Sequence, residues 1–199
     1  MSAVRLTIVY YSTYGHNLEM ASIAADAARH AGAEVRLRKV KETAPEELVE
    51  SIEPWRQTAE RMANVPDVTN EDVEWANAYL ISAPTRYGVV ASQLRAWIDT
   101  LGPLWQRGVL ANKPVTAMTS ASNPHGGQET TLLGLYATVM HWGAVVVAPG
   151  YTDPSVYQAG GNPYGVTVTV GKGPISEEVK AAIGFQARRL VAFAAKLAA

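Results

Sequence analysis

The 199-residue sequence contains no cysteine, which excludes disulfide bridges, thiolate zinc sites, iron–sulfur clusters and a cysteine nucleophile. It also has little excess charge, because 17 basic and 18 acidic side chains give a formal net charge of −1. That balance excludes the basic surface of a general nucleic-acid binder, so we expect no nucleic-acid partner. The four histidines include no pair at the i, i+4 spacing of a helix, and we expect no structural metal site.

Long apolar runs are missing as well. No window approaches 18 uninterrupted apolar residues, so we expect no membrane insertion. Residues Met1–Leu6 lead straight into an apolar strand pattern and lack the basic region, apolar core and cleavage site of a signal peptide. We therefore expect a soluble, cytoplasmic protein. The length fits one well-buried domain, predicted over residues 1–199.

Short apolar segments alternate with helical patterns along the chain. Strands are predicted over Val4–Tyr11, Glu34–Val40, Ala76–Ala83, Pro114–Thr119 and Ala144–Ala148. Helices are predicted over residues 17–31, around Leu94–Leu101, around Leu132–Met140 and along the stripe Val179–Leu197. The stretch 45–63 opens with a good first helical turn but is polar, and it is predicted to be a surface excursion. The alternation predicts a doubly wound α/β sheet.

Residues 150–165 are rich in glycine, proline and tyrosine and are too long for a simple turn. We interpret them as an insertion that either interrupts the fifth strand or carries function. Val166–Val170 would resume the strand after it. The sequence leaves open whether the insertion covers a ligand or joins subunits.

Three polar loops follow the first, third and fourth predicted strands, whose carboxyl ends are where such sheets bind ligands. Ser12–Asn17 combines two hydroxyls, a glycine and a helix N-terminus, which favours a monoester phosphate; alternatively, Ser12 or Asn17 merely caps the helix. Pro84–Gly88 offers amides, a cation and a ring to a flat heterocycle, or is a plain turn. Ser120–Glu129 has hydroxyls and two glycines before a helix, or is a mobile surface loop. Together the three loops favour a ligand site.

Four segments together resemble the WrbA family of NAD(P)H:quinone oxidoreductases, within the flavodoxin-like superfamily. They are Val9–His16, Ala83–Gly88, Gly126–Glu129 and Gly160–Gly165, and their order and spacing match that family. The resemblance covers nearly the whole chain, from about residue 4 to residue 197. It implies a five-stranded parallel sheet of order 2-1-3-4-5 with helices on both faces.

The resemblance also implies FMN as cofactor and NADH or NADPH as electron donor. The FMN phosphate would lie in the Ser12–Asn17 loop, with the ring edge against residues 85–87 and the Ser120–Gly126 loop around the ring. The residues implied in cofactor binding are Ser12, Thr13, Tyr14, Gly15, His16, Asn17, Pro84, Thr85, Arg86, Tyr87, Gly88, Ser120, Ala121, Ser122, Asn123, His125, Gly126 and His141.

Substrate roles follow from the same resemblance. Tyr14 matches a position near the nicotinamide site, and Trp105 matches one lining the quinone site. His141 matches a flavin-contacting histidine that arrives from a neighbouring subunit in this family, so a homotetramer is implied. Tyr14 and His141 are possible helpers that polarise the quinone, and no certain catalytic residue is assigned.

Two positions depart from the family pattern. Pro124 removes one amide donor from a loop that is richer in glycine and threonine in the family. Asn17 stands where an aliphatic residue is common, and its amide either adds a hydrogen bond to the phosphate or caps the helix.

The predicted reaction is two-electron reduction of a quinone by NADH or NADPH through bound FMN. Both substrates would use one cavity in turn, which predicts ping-pong kinetics. The first alternative is a flavodoxin-like one-electron carrier, whose docking face would be acidic. A local acidic patch is present at Glu42, Glu46, Glu47, Glu50 and Glu53. The second alternative is a non-catalytic regulatory binding protein. No motif for a 2′-phosphate is identifiable, so the choice between NADH and NADPH stays open.

Overall fold

The computed structural model describes residues 3–171 and 173–197. Within them the strands are β1 (Arg5–Tyr10), β2 (Glu34–Lys39), β3 (Ala78–Ser82), β4 (Thr85–Arg86), β5 (Val89–Val90), β6 (Pro114–Ala121), β7 (Val145–Val146) and β8 (Thr167–Thr169). The helices are α1 (His16–His30), α2 (Glu46–Ser51), α3 (Glu53–Arg61), α4 (Asn70–Trp75), α5 (Ser92–Asp99), α6 (Gly102–Gln106), α7 (Gln128–His141), α8 (Pro154–Gln158) and α9 (Glu177–Leu197).

The main sheet is parallel and has the order β2-β1-β3-β6-β7. β7 pairs with the start of β6 at Pro114 and Val115, whereas β8 pairs with its end at residues 119–121. β7 and β8 are therefore two halves of one interrupted strand, and the sheet has the five-position order 2-1-3-4-5. This confirms the predicted flavodoxin-like α/β fold, with the insertion interrupting the fifth strand and β8 resuming it.

The central strands β1, β3 and β6 are buried on both faces because helices cover both faces of the sheet. Along β1, Leu6 and Ile8 lie in the core shared with α1 and α9, while Val9 lies in the core shared with α5 and α7. The first core is rich in alanine on both helices, which lets α1 and α9 pack closely. Burial on both faces of the sheet explains why long apolar runs in the sequence predicted parallel strands.

The polar stretch 45–63 forms two surface helices, α2 and α3, which bury only Val49 and Thr58. The sequence pattern predicted an excursion there but not two helices, because neither helix has the apolar stripe from which helices are recognised. The short elements α4, α6, α8 and the β4–β5 hairpin were likewise not predicted. Each spans six residues or fewer, too few to show a period.

The insertion returns to the sheet at Gly165, where only glycine fits. An added Cβ there would lie 2.1 Å from the carbonyl oxygen of Ala117. The buried Gln186 of α9 fixes this return, because its Oε1 accepts the Val166 N–H at 2.8 Å and its Nε2 donates to Thr116 Oγ1 at 2.7 Å. The resumed strand is thereby held beside the carboxyl end of β6.

Across residues 3–171 and 173–197, no helix is both long and apolar enough to cross a membrane. In the same residues, no three His, Asp or Glu side chains are grouped as metal ligands.

Candidate functional site

The loop between β1 and α1 presents unpaired backbone amides. α1 begins after Gly15, which has φ 88° and lies at the N-cap without any side-chain hydrogen bond. The prediction that Ser12 or Asn17 caps this helix is therefore wrong. Within the described chain, the backbone N–H groups of residues 12–17 find no acceptor, although Ser12 and Thr13 are buried. Buried amides are rarely left unpaired, and at the positive end of α1 these groups could accept an anion.

Asn17 bonds to the ends of two strands instead of capping the helix. Its Nδ2 donates to Ser82 Oγ at 3.1 Å, and its Oδ1 accepts from Ser120 Oγ at 2.6 Å. The helix-cap alternative for its amide is therefore wrong, because α1 has no side-chain cap. The contact of the amide with a phosphate stays a prediction, and the buried side chain lines the cavity between the loops. The side chain instead ties the first loop to the ends of β3 and β6.

The second loop is a tight hairpin made by β4 and β5. Tyr87 and Gly88 occupy its turn with φ values of 51° and 83°, as expected when a two-residue hairpin turn needs positive φ at both positions. Tyr87 is fully exposed. Thr130 of α7 donates to the Gly88 carbonyl at 2.9 Å. An added Cβ at Gly127 would lie 2.5 Å from Gly88 Cα, so the hairpin rests directly on the start of α7.

A directed hydrogen-bond chain connects the two loops. Arg86 Nη2 donates to Thr13 Oγ1 at 2.7 Å, and Thr13 Oγ1 in turn lies 3.4 Å from Tyr11 Oη, to which it donates. The Tyr11 phenol donates to Glu42 Oε2 at 2.8 Å. Burial raises the pKa of Tyr11 well above its ordinary value, so the phenol stays protonated and keeps this direction. Arg86 is thereby oriented, and no carboxylate of the described chain pairs with it.

Glu42 accepts hydrogen bonds from several parts of the chain, whereas the sequence pattern indicated only that it belongs to an acidic patch. It accepts hydrogen bonds from Trp55 Nε1 at 3.3 Å, from Gln93 Nε2 at 2.8 Å and from the backbone amides of residues 43 and 44 at 2.9 Å. These donors come from three separate parts of the chain besides Tyr11. No local sequence pattern signals such a junction, because its partners are brought together only by the fold.

The third loop contributes its first residues to the site. Ser120 and Ala121 are buried at the end of β6, whereas residues 122–125 are exposed. A small cavity of about 50 Å³ joins the three loops and is lined by Ser12, Thr13, Tyr14, His16, Asn17, Pro84, Thr85, Arg86, Ser120, Ala121, Ser122 and Val170. Of the remaining predicted residues, Gly15, Tyr87, Gly88, Asn123, His125 and Gly126 lie in the same loops but do not line this cavity.

Trp105 and His141 lie together at the opposite end of the molecule. Trp105 Nε1 donates to the His141 carbonyl at 3.0 Å, and both residues line a shallow pocket of about 270 Å³. His141 ends the 14-residue α7, whose start touches the hairpin, so the helix alone separates it from the loops by about 20 Å. Within one chain, neither residue reaches the cavity between the loops.

The insertion forms a larger cavity beside the third loop. Gly160, Gly161 and Asn162 line it together with Pro124 and Gln128, and its volume is about 670 Å³. The insertion therefore lies next to the predicted ring-binding loop. That position is compatible with either predicted role, covering a ligand or joining subunits.

Comparison with known proteins places this geometry in a family. A family profile described as NADPH-dependent FMN reductase matches residues 6–154. The NAD(P)H dehydrogenase (quinone) of Deinococcus radiodurans is 54% identical over 98% of this chain and 97% of that protein. The enzyme of the same name from Geotalea uraniireducens is 37% identical over 98% of this chain and 100% of that protein.

Solved structures agree on the fold. A WrbA-like flavodoxin from Agrobacterium tumefaciens superposes with a TM-score of 0.68 at 18% identity, covering 98% of this chain and 99% of that one. A flavodoxin from the domain Archaea gives 0.60 at 15% identity over 98% and 100%. The resemblance to the WrbA family that the sequence motifs indicated is thus confirmed. The chain belongs to the NADPH-dependent FMN reductase family.

Proposed function

We propose that this protein is an FMN-dependent NAD(P)H:quinone oxidoreductase that reduces quinones by two electrons. The observation that carries the proposal is the row of unpaired backbone amides over residues 12–17 at the start of α1. The relatives named NAD(P)H dehydrogenase (quinone), similar over almost their full lengths, support the same reaction. The family that the chain belongs to supports FMN as cofactor.

The residues present fit FMN. The amides of residues 12–17, which have no acceptor in the described chain, would hold its phosphate together with the Ser12 hydroxyl. Arg86 and Thr85 would lie at the ring edge, where an oriented cation without a carboxylate partner favours negative charge. FMN held there would supply the chemistry of hydride transfer between the nicotinamide and the quinone. The half-exposed Tyr14 lines the cavity, and the exposed Tyr87 lies in the hairpin next to Arg86.

A second copy of the chain would complete the site, and we propose a homotetramer for this reason. Trp105 and His141 lie together but about 20 Å from the loops of their own chain, as the length of α7 dictates. A neighbouring copy could place the pair over the flavin of another chain. The single domain also stays a proposal, supported by the two cores that share one sheet. A cytoplasmic location stays a prediction.

Steady-state kinetics test the reaction. The purified protein is loaded with FMN, and the oxidation of NADH or NADPH is followed with and without benzoquinone. We expect quinone-dependent turnover with parallel lines in double-reciprocal plots, because both substrates use one cavity in turn. Tight FMN binding without quinone-dependent turnover would contradict the proposal.

The one-electron carrier finds less support in the structure than in the sequence. Two members of its acidic patch are already engaged, since Glu42 accepts hydrogen bonds from several donors and Glu53 pairs with Arg56 at 2.8 Å. A docking face needs free charges. Redox titration separates the two functions, because a carrier takes up electrons in two resolved one-electron steps and the reductase in one two-electron step.

A further inference from the structure

The phosphate-binding loop itself holds no cation, but α3 brings one to it. Residues 12–17 contain no lysine or arginine. An added Cβ at Gly15 would lie 3.0 Å from Arg61 Nη1 and 3.7 Å from Thr58 Oγ1. Thr58 and Arg61 are three positions apart and therefore share one face of α3. That face covers Gly15, the residue from which α1 starts.

The charge of Arg61 is uncompensated. On the same helix, Arg56 pairs with Glu53 at 2.8 Å and also with Glu60. Arg61 is exposed, and no carboxylate among residues 3–171 and 173–197 forms an ion pair with it. On α3, Arg56 is thus paired with carboxylates, whereas Arg61, which lies beside Gly15, is not.

We propose that Arg61 binds the 5′-phosphate of FMN and makes the site prefer FMN over unphosphorylated flavin. The inference rests on the proposed function, because it takes the Ser12–Asn17 loop as the phosphate site. The backbone amides form neutral hydrogen bonds to the phosphate, whereas a phosphate dianion gains further from a nearby guanidinium, which forms charge-assisted, bidentate contacts. No sequence pattern points to this residue, since Arg61 is 46 positions from Gly15.

Arg61 also has a purely structural explanation that the test must separate. It lies in the last turn of α3, where a cation stabilises the negative end of the helix. In that case, its removal would lower the stability of α3 and affect the binding of any flavin equally. A phosphate contact instead changes the affinity for FMN alone.

The test compares FMN with riboflavin, which lacks the phosphate. Flavin is removed from the native protein and from the variants Arg61→Gln, Arg61→Lys and Arg56→Gln. Dissociation constants for both flavins are then measured by quenching of flavin fluorescence at low and high salt. Arg56→Gln is the matched control, because it removes a charge from the same helix away from the loop. The Tm of each flavin-free variant verifies folding.

We expect Arg61→Gln to weaken FMN binding by about tenfold at low salt and less at high salt, with riboflavin unchanged. Arg61→Lys should retain part of the preference, and Arg56→Gln should retain all of it. An unchanged ratio of the two dissociation constants in Arg61→Gln would overturn the inference and leave the proposed function standing. Failure of the native protein to bind FMN would overturn both.

Discussion

The two ends of the parallel strands use their polar groups in opposite ways. At the amino end Arg5 and Asn77 exchange hydrogen bonds of 2.9 and 2.8 Å, and Lys113 Nζ donates to the Val73 carbonyl and to Tyr79 Oη. At the carboxyl end the amides of residues 12–17 have no acceptor in the described chain, and Arg86 has no carboxylate. Paired groups stabilise the sheet, while the unpaired groups are the ones that we propose for ligand binding.

The largest expected effect comes from the contact between Gly127 and Gly88. Gly127→Ala places a Cβ 2.5 Å from Gly88 Cα and requires φ near 82° for alanine. We expect the free energy of unfolding to fall by about 3 kcal/mol and FMN binding to be lost with the hairpin contact. Urea denaturation and flavin titration measure the two effects.

Gly134→Ala in the same helix is the control for that change. Outside the backbone of α7 itself, the described chain has no atom within 4 Å of an added Cβ there, so alanine should stabilise α7 by about 0.5–1 kcal/mol. If both variants had the same stability, the close approach of the hairpin to α7 would not matter for the fold.

A smaller loss is expected from Asn17→Ala. The substitution leaves the Ser120 hydroxyl without its acceptor and removes the side-chain donor to Ser82 Oγ in a buried site, which costs about 2 kcal/mol in the free energy of unfolding. Ser120→Ala should add little in the Asn17→Ala background, because both changes remove the same hydrogen bond. Fully additive losses in urea denaturation would show that the two side chains act independently.

Trp105 and His141 can contribute to the site only if a second copy of the chain brings them to it. We expect Arg86→Ala and Trp105→Ala each to lower kcat/KM by about tenfold, since each removes one contribution to a shared site. Subunits of the two variants are then mixed by dissociation and reassembly. Turnover of the mixture should exceed the sum of the separate variants, because some hybrid sites carry neither substitution. A mixture no more active than its components would argue that each chain works alone.

A pH dependence of stability is expected at the amino end. Burial, together with the charge of Arg5, lowers the pKa of Lys113 to about 8 from 10.5. Between about pH 8 and 10 the unfolded chain therefore binds more protons at this residue, and the contribution of Lys113 to stability rises with pH. Lys113→Met should remove that rise while leaving FMN affinity unchanged. Urea denaturation midpoints at pH 7.5, 9 and 10 measure this rise in stability. A rise of equal size in Lys113→Met would assign the pH dependence to other groups.

The sequence predicted those parts of the fold that depend on local pattern. The parallel strands could be found because burial on both faces demands continuous apolar runs such as Leu6–Tyr10. The strand order and the FMN site required the resemblance to a known family. The helices α2 and α3 could not be predicted, because their polar sequences carry no apolar stripe.

The detailed contacts of the site were beyond the sequence. Glu42 meets Tyr11 and Gln93 across separations of 31 and 51 residues, and only the fold brings them together. The cap alternative for Asn17 follows from the usual role of an amide near a helix start, but here Gly15 lies at the N-cap and Asn17 bonds to distant serines. In each case the hydrogen-bond partner is distant in the sequence, so only the folded structure reveals it.

Amide hydrogen exchange with and without FMN tests the contrast between the two ends most directly. On binding, we expect exchange over residues 12–17 to slow by about tenfold or more, because the amides gain acceptors on the phosphate. Exchange over residues 73–79 should stay the same, since their partners are already in place. Unchanged exchange over residues 12–17 in the FMN-loaded protein would contradict the assignment of this loop as the phosphate site.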